Sequence, residues 1–536
     1  MSRFVKTISR VFLLLAVVFL VFLGLNNIRT GATSGINVIT YHNDNSRTGQ
    51  NLSETTLTPT NVNESTFGRL FTIALDGYVY AQPLYVSNLT IPGQGVYNVL
   101  FVATEHDSAF AFDADTGQQL WYASFIDPAQ GITTVSNQQV NCGDLVPEIG
   151  ITGTPVIDPA TKTIYMVAKT SENGTIYQRL HALSIFTGLE RPGSPVAIQA
   201  TVAGTGAGSL NGKISFNPLI QHQRISLLFQ HGVVEIGWAS HCDLGTFHAW
   251  VMAYNARTLK QLAVWNSTPN GTWGGVWQSG AGLAADASDN TFVATSNGTF
   301  DENEGLGDYG DSIVKIPPAK PLQVGDYFTP YNQEYLGQND IDLGSGGVVL
   351  LPDNPGGPNA HLLVESGKEG SIYLVNRDNM GKYNPNNNDQ IVQFIPYVMG
   401  GTYDGPAWWN NSIYFGGSYD AIKQFAFNTT TGLLSMSPVS VSGSTFGHPG
   451  VTPSISANGN SAAILWAVDV SAYGSSGPAV LYAFDATNLA NELYSSNQNS
   501  QRDDPGPAVK FTAPTIANGK VYINAEYQLS VYGLLP

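Results

Sequence analysis

Gln82-Pro83-Leu84-Tyr85-Val86, then Val99-Leu100-Phe101-Val102-Ala103-Thr104, then Ala109-Phe110-Ala111-Phe112-Asp113-Ala114-Asp115-Thr116-Gly117, then Leu120-Trp121: the reading of this stretch decides the fold. Each apolar run is strand-length, and each is ended by Gly, Asn, Asp or Pro. Four strands followed by a fresh start make one blade of a β-propeller. The opening of the phrase, a small residue or Pro before an apolar pair, returns seven times. It recurs at Thr154-Pro155-Val156-Ile157, Asn217-Pro218-Leu219-Ile220, Gly280-Ala281-Gly282-Leu283 and Gly346-Gly347-Val348-Val349, then at Gly405-Pro406-Ala407-Trp408, Thr452-Pro453-Ser454-Ile455 and Ala513-Pro514-Thr515-Ile516. The tail returns at His181-Ala182-Leu183, Met252-Ala253-Tyr254-Asn255-Ala256 and Leu481-Tyr482-Ala483-Phe484-Asp485-Ala486. The spacing is roughly 50–70 residues against ~40–45 for a WD-type blade, so the surplus belongs in loops.

The last copy lacks an outer strand. An unclaimed strand, Arg69-Leu70-Phe71-Thr72-Ile73-Ala74-Leu75, precedes the first copy. The expectation is therefore an all-β, eight-bladed propeller over residues 36–536, its last blade closed by N- and C-terminal strands, which removes an aggregation-prone edge.

The chain carries a formal net charge of −17 with only 12% charged residues, which disfavours nucleic acid and anionic membrane as partners of a general basic surface. Residues 1–35 read as a targeting segment. Arg3, Lys6 and Arg10 precede an apolar run from Val11 to Leu25, interrupted only by Gly24. That run fits a signal peptide, and an N-terminal membrane anchor is the alternative. Either outcome leaves the body outside the cytoplasm, secreted or periplasmic. The two cysteines, Cys142 and Cys242, are a disulfide candidate in such a compartment; two buried thiols are the other reading.

The chain resembles the quinoprotein alcohol dehydrogenases, eight-bladed propellers that hold pyrroloquinoline quinone (PQQ) and calcium on the axis. The resemblance runs over nearly the whole mature chain. It starts at Tyr41-His42-Asn43-Asp44-Asn45-Ser46-Arg47-Thr48-Gly49 and includes the Ala-Phe-Asp-Ala-Asp-Thr-Gly-Gln-Gln-Leu-Trp blade signature at 111–121. It implies metal ligands at Asp243, where the family has Glu, and at Asn297 within Thr295-Ser296-Asn297-Gly298. It implies a general base at Asp342 in Asp340-Ile341-Asp342-Leu343-Gly344. It implies a quinone contact at Lys368 in Lys368-Glu369-Gly370-Ser371-Ile372-Tyr373, and Trp277 as the ring beneath the quinone. Amide and carboxylate oxygens suit calcium, a carboxylate beside the metal accepts a hydroxyl proton, and a lysine offsets charge developing on the cofactor.

Two departures stand out. The family's vicinal cysteine pair is reduced to Cys142, and the stretch Leu145-Val146-Pro147-Glu148 has no Arg to meet a cofactor carboxylate. Each candidate also has a bland reading: Asn297-Gly298 as a hairpin turn, Asp340 and Asp342 as loop caps, Lys368 as a charged turn, Asp243 as a solvated acid and Trp277 as packing. Glu105-His106-Asp107 reads as a surface turn. His241, Cys242 and His248 lack the spacing of a zinc or copper site. Two function classes therefore stay open. One is a dehydrogenase of an alcohol or sugar that passes electrons to an external acceptor. The other is a non-catalytic propeller that serves protein partners as a binding or assembly scaffold.

Overall fold

The computed structural model describes residues 36–403 and 405–536. The targeting segment lies outside the described residues, and among these no helix is long and apolar enough to cross a membrane.

Eight antiparallel sheets follow one another along the chain. Blade 1 is Leu84–Ile91, Gly95–Thr104, Ser108–Asp113 and Gln119–Ser124. The inner strands of blades 2 to 8 are Val156–Asp158, Leu228–Gln230, Ala284–Ala285, Val349–Leu350, Ala407–Trp409, Ser454–Asn458 and Thr515–Ala517. Phe67–Ala74 pairs antiparallel with Gln528–Leu534, from Phe67 opposite Leu534 to Ala74 opposite Gln528, and so supplies the outer strand of blade 8. Seven of the expected blade openings sit at inner strands. The third does not. Asn217–Ile220 is turn, and the inner strand of blade 3 comes later, at Leu228–Gln230. Gln221–His222, directly after the turn, pairs with one end of Val233–Ser240, and Leu228–Gln230 pairs with the other.

The blade signature has a local cause. Asp113 accepts from Asp115 N (3.0 Å) and Thr116 Oγ1 (2.7 Å), and Gly117 closes the turn at φ 75°. Trp121 then packs against the next blade, donating its indole N–H to Ile185 O at 2.9 Å, and a Cβ on Gly188 would reach its ring at 2.6 Å. Apolar clusters of this kind fill the wedges between neighbouring blades.

Residues 37–51 coil once around the axis and touch the inner strand of every blade in turn. Asn37–Val38 pairs with blade 1. Ile39 O accepts from Ile157 N in blade 2 at 2.9 Å. Asn45 Nδ2 donates to Phe229 O in blade 3 at 3.0 Å. Asn45, Ser46, Thr48 and Gly49 carbonyls accept from Ala285, Leu350, Trp408 and Ile455 of blades 4 to 7, all at 2.7–2.9 Å. Asn51 Nδ2 reaches Ile516 O of blade 8 at 3.0 Å. The edge amides of short inner strands thus find partners in one segment.

Arg47 pins this coil. Its side chain is 1% exposed and donates to Leu283 O (2.8 Å), Thr40 Oγ1 (2.6 Å) and Tyr41 O (3.0 Å), with longer bonds to Asp44 O and Leu227 O. Gly282 makes room for it, since a Cβ there would lie 2.6 Å from Nε. Burial pushes the guanidinium down to about 10, so the side chain is held by its planar fork of donors. Arg47→Met is expected to cost about 2–4 kcal/mol by leaving several buried carbonyls without donors. Arg47→Lys is expected to recover little, because one ammonium cannot span those acceptors. Urea denaturation followed by tryptophan fluorescence measures both, and a loss under about 1 kcal/mol would show that the coil does not depend on Arg47.

Candidate active site at the funnel mouth

In a four-stranded antiparallel blade, the hairpin between the second and third strands opens on the same end as the crossover to the next blade. Asp243, Asn297 and Lys368 sit on such hairpins in blades 3, 4 and 5; Trp277 and Asp342 sit on the crossovers that lead into blades 4 and 5. All five sequence candidates therefore share one end of the axis, which we call the mouth.

Three of them meet directly. Lys368 Nζ lies 2.6 Å from Asp342 Oδ2 and 2.9 Å from Asp340 Oδ1. Asp342 Oδ1 accepts from Asn297 N at 3.0 Å, and Asn297 Nδ2 donates to Asp340 Oδ1 at 3.1 Å. Two glycines let the loops approach this closely. A Cβ on Gly344 would come 2.7 Å from the Thr295 carbonyl, and one on Gly367 would overlap the carbonyls of Asp342 and Leu343. The Asp342 carbonyl also accepts from Lys368 N at 2.9 Å. Burial opposes the charge on Lys368, but the Asp342 and Asp340 carboxylates outweigh it and raise the ammonium above its usual range.

Asp243 joins from the facing hairpin. It stands on the exposed lip, yet the funnel walls strip it of hydration. That loss first, and the Asp342 and Asp340 charges next, push its carboxyl up to about 6, while the Trp277 indole hydrogen-bonds to it. Asn297 Oδ1 is buried without a hydrogen-bond partner. An orphaned amide oxygen beside two carboxylates is a hard-oxygen donor set, so these residues fit a calcium-class cation.

The expected disulfide lies at the mouth, and the charged residues around it, Asp144, Arg224 and Lys510, escaped the sequence reading. Cys142 and Cys242 do form a disulfide, with Cα atoms 5.8 Å apart, and Asp144 N donates to Cys142 Sγ at 3.4 Å. Asp144 pairs with Arg224 Nη1 at 3.2 Å and with Lys510 Nζ. Burial favours its neutral form, but these two cations override that and hold the carboxyl down to about 2. The Arg224 guanidinium lies 4.5 Å from the Phe511 ring centre and 5.6 Å from that of Trp277. Positive charge therefore enters the mouth from the crossovers into blades 3 and 8 rather than from residues 145–148. Glu148 in that stretch is occupied with His106, 2.9 Å away.

The Glu105-His106-Asp107 hairpin is a correction. Glu105 and Asp107 are fully buried, not surface turn residues. Glu105 accepts from Gly150 N at 2.7 Å, and burial pushes it up to about 7. His241 accepts from Lys169 Nζ at 2.6 Å and stacks on His222 at 4.5 Å. His248 is held by Thr268 Oγ1 and Ala207 O. Among the described residues no group of three or more His, Cys, Asp or Glu side chains is arranged to hold a metal ion.

No family model and no curated protein matches this sequence. Solved structures do match its fold. A quinohemoprotein alcohol dehydrogenase from Comamonas testosteroni superposes with a TM-score of 0.60 at 15% identity, over 95% of this chain and 82% of that one. The quinohemoprotein alcohol dehydrogenase ADHIIG from Pseudomonas putida HK5 gives 0.60 at 12% identity, over 93% and 80%. A europium-containing methanol dehydrogenase gives 0.59 at 13% identity, over 93% and 98%. The chain thus has the eight-bladed propeller fold of the quinoprotein alcohol dehydrogenases.

The carboxyl of Asp243 yields a pH prediction. A cation must displace its proton, so affinity for Ca²⁺ or Tb³⁺ is expected to be flat above pH 6 and to fall by up to about tenfold per pH unit below it. Asp243→Asn should weaken binding and flatten that slope. Terbium luminescence sensitised by Trp277 reads both, and an acid slope that persists in the variant would assign the proton elsewhere.

Proposed function

We propose that this chain is a quinoprotein-type dehydrogenase that works outside the cytoplasm, oxidising an alcohol or sugar hydroxyl with PQQ and a calcium-class cation. The observation that carries the reading is the meeting of Asn297, Asp342 and Lys368, from stretches well separated along the chain, with Asp243 and Trp277 at their side. The disulfide and the basic-apolar leader support an oxidising compartment. Residues 36–536 serve as a single propeller domain in this reading.

Asn297 Oδ1 and the Asp243 carboxylate would hold the cation. Arg224 and Lys510 would meet a carboxylate of the quinone, and Trp277 offers a flat face. A bound quinone supplies the two-electron acceptor. Asp342 is poised as base: Lys368 and Asn297 N fix both of its oxygens, so its charge and orientation are set before substrate arrives. Lys368, shared between Asp342 and Asp340, stays protonated and offsets negative charge as the hydroxyl proton moves to Asp342. Both cysteines of the sequence are in the disulfide, and in this reading electrons leave to an external acceptor.

One observation favours the scaffold reading: Arg224 lies over the Trp277 ring, so a quinone stacking there must displace it. Titrating the purified protein with PQQ and Ca²⁺, followed by dye-linked oxidation of alcohols and sugars, separates the two. The dehydrogenase reading expects micromolar binding and turnover. Asp342→Asn should keep the cofactor while turnover falls about 10²–10⁴-fold. No binding at micromolar PQQ leaves the scaffold.

A further inference from the structure

Five aromatic residues at the mouth stand in left-handed backbone: Trp273 (φ 68°) on the crossover into blade 4, Tyr397 (φ 52°) after the outer strand of blade 5, Tyr419 (φ 56°) on the blade 6 hairpin, Phe511 (φ 61°) on the crossover into blade 8 and Tyr527 (φ 57°) on the blade 8 hairpin. This region is disfavoured for bulky side chains. Blade 1 shows the ordinary solution. At the hairpin position where blades 6 and 8 carry Tyr419 and Tyr527, it carries Asp107 at φ 52°, and Asp tolerates that conformation. The strained tyrosines are also exposed, Tyr397 by 67%, Tyr419 by 80% and Tyr527 by 45%. Burial does not repay the strain, which points to a role outside the fold's own packing.

Two of these rings, Tyr419 and Phe511, belong to one continuous arc with Tyr403, His448 and Tyr473. His448 stands 4.7 Å from Tyr403, 6.4 Å from Tyr419 and 6.1 Å from Tyr473 by ring centres, and Tyr403 is 6.4 Å from Phe511. At its inner end the Tyr403 phenol feels the charges of Lys368 and Asp342. The arc therefore leads to the acid–lysine pair. Along it Lys368 is matched by Asp342 and Lys423 by Asp420 at 2.6 Å, while Lys510 and Arg224 share Asp144. The chain as a whole carries a net charge of −17, which opposes a polyanion. The arc also offers flat rings tipped with hydroxyls rather than aliphatic side chains. A pyranose with equatorial hydroxyls matches this surface, because its C–H faces stack on aromatic rings while its hydroxyls reach polar neighbours. Rings drawn from three successive blades, 6 to 8, ask for several such units.

We propose that this arc is a binding platform for a neutral, gluco-configured oligosaccharide, one end of which reaches Asp342. The binding claim stands on the arc alone, and the delivery of a sugar hydroxyl to Asp342 rests on the dehydrogenase reading.

Calorimetric titration of the full chain without PQQ tests the platform, using cellohexaose, xylohexaose and mannohexaose as neutral probes and a heparin hexasaccharide as the anionic one. Cellohexaose is expected to bind most tightly, in the micromolar-to-millimolar range. Tyr419→Ala and Tyr473→Ala should each weaken it by about fivefold or more, the loss of one stacking face. Tyr419→Phe should stay within about twofold, since the ring remains. Tyr419→Gly should bind as poorly as Tyr419→Ala yet melt no lower than the parent, because glycine relieves the left-handed strain. Absence of binding by every neutral probe, tighter binding of the heparin fragment, or equal affinity across the variants would overturn the proposal. If saccharide binds and PQQ does not, the dehydrogenase reading fails and the platform stands; if PQQ binds and saccharide does not, only the platform falls.

Discussion

The constraint on which the rest depends is the single turn of chain from 37 to 51 around the propeller axis. Eight inner strands of only two to eight residues present amide and carbonyl edges to a common centre. A propeller that left those edges unpaired would carry a heavy desolvation cost. The coil supplies partners to all eight, and Arg47 ties it to blades 3 and 4 through buried carbonyls. A ring of blades closed only by the outer pairing of Phe67–Ala74 with Gln528–Leu534 would be fastened at its rim alone. The coil fastens it at the hub, so residues at the ends of inner strands hold fixed positions relative to one another.

At the mouth the same task passes to charge. Asp144 links the crossover into blade 2 with Arg224 on the crossover into blade 3 and Lys510 on the crossover into blade 8. Asp342 links the crossover into blade 5 with the hairpins of blades 4 and 5. Each of these two anions is met by cations or amides, which is what permits these carboxylates at low exposure. The exceptions are informative. Asp243 keeps a raised pKa and Asn297 Oδ1 has no donor, and these are the two groups that the proposed reading gives to a cation.

Much of the fold was legible because a propeller repeats its hydrophobic period, and a repeat is read by comparison with itself. The displaced third copy shows the weakness of that reading: Asn217-Pro218 mimics a blade opening, and nothing local says that the chain pairs only at Gln221–His222 before the longer inner strand at Leu228–Gln230. Asp342, Asn297 and Lys368 were legible only through the resemblance to a known family, whose short motifs carry the glycines that allow close loop packing beside them. Arg224 and Lys510 were not. Their shared partner Asp144 lies 80 and 366 positions away, and no local pattern marks a cation whose role is fixed by a distant acid. The aromatic arc was equally hidden, since a positive φ is a property of the folded backbone. The signal available was Ser418-Tyr419-Asp420, a tyrosine in a hairpin where Asn, Asp or Gly is the ordinary choice.

The account's central claim is that side chains from separate blades converge at one mouth to hold a cation and a quinone. The most direct measurement is a crystal structure of the chain soaked with PQQ and a lanthanide, read by anomalous difference density. The account predicts a metal peak touching Asn297 Oδ1 and the Asp243 carboxylate, with quinone density against Lys368 and an Arg224 side chain moved off Trp277. A mouth without either peak, or a metal bound at the far end of the axis instead, would contradict it.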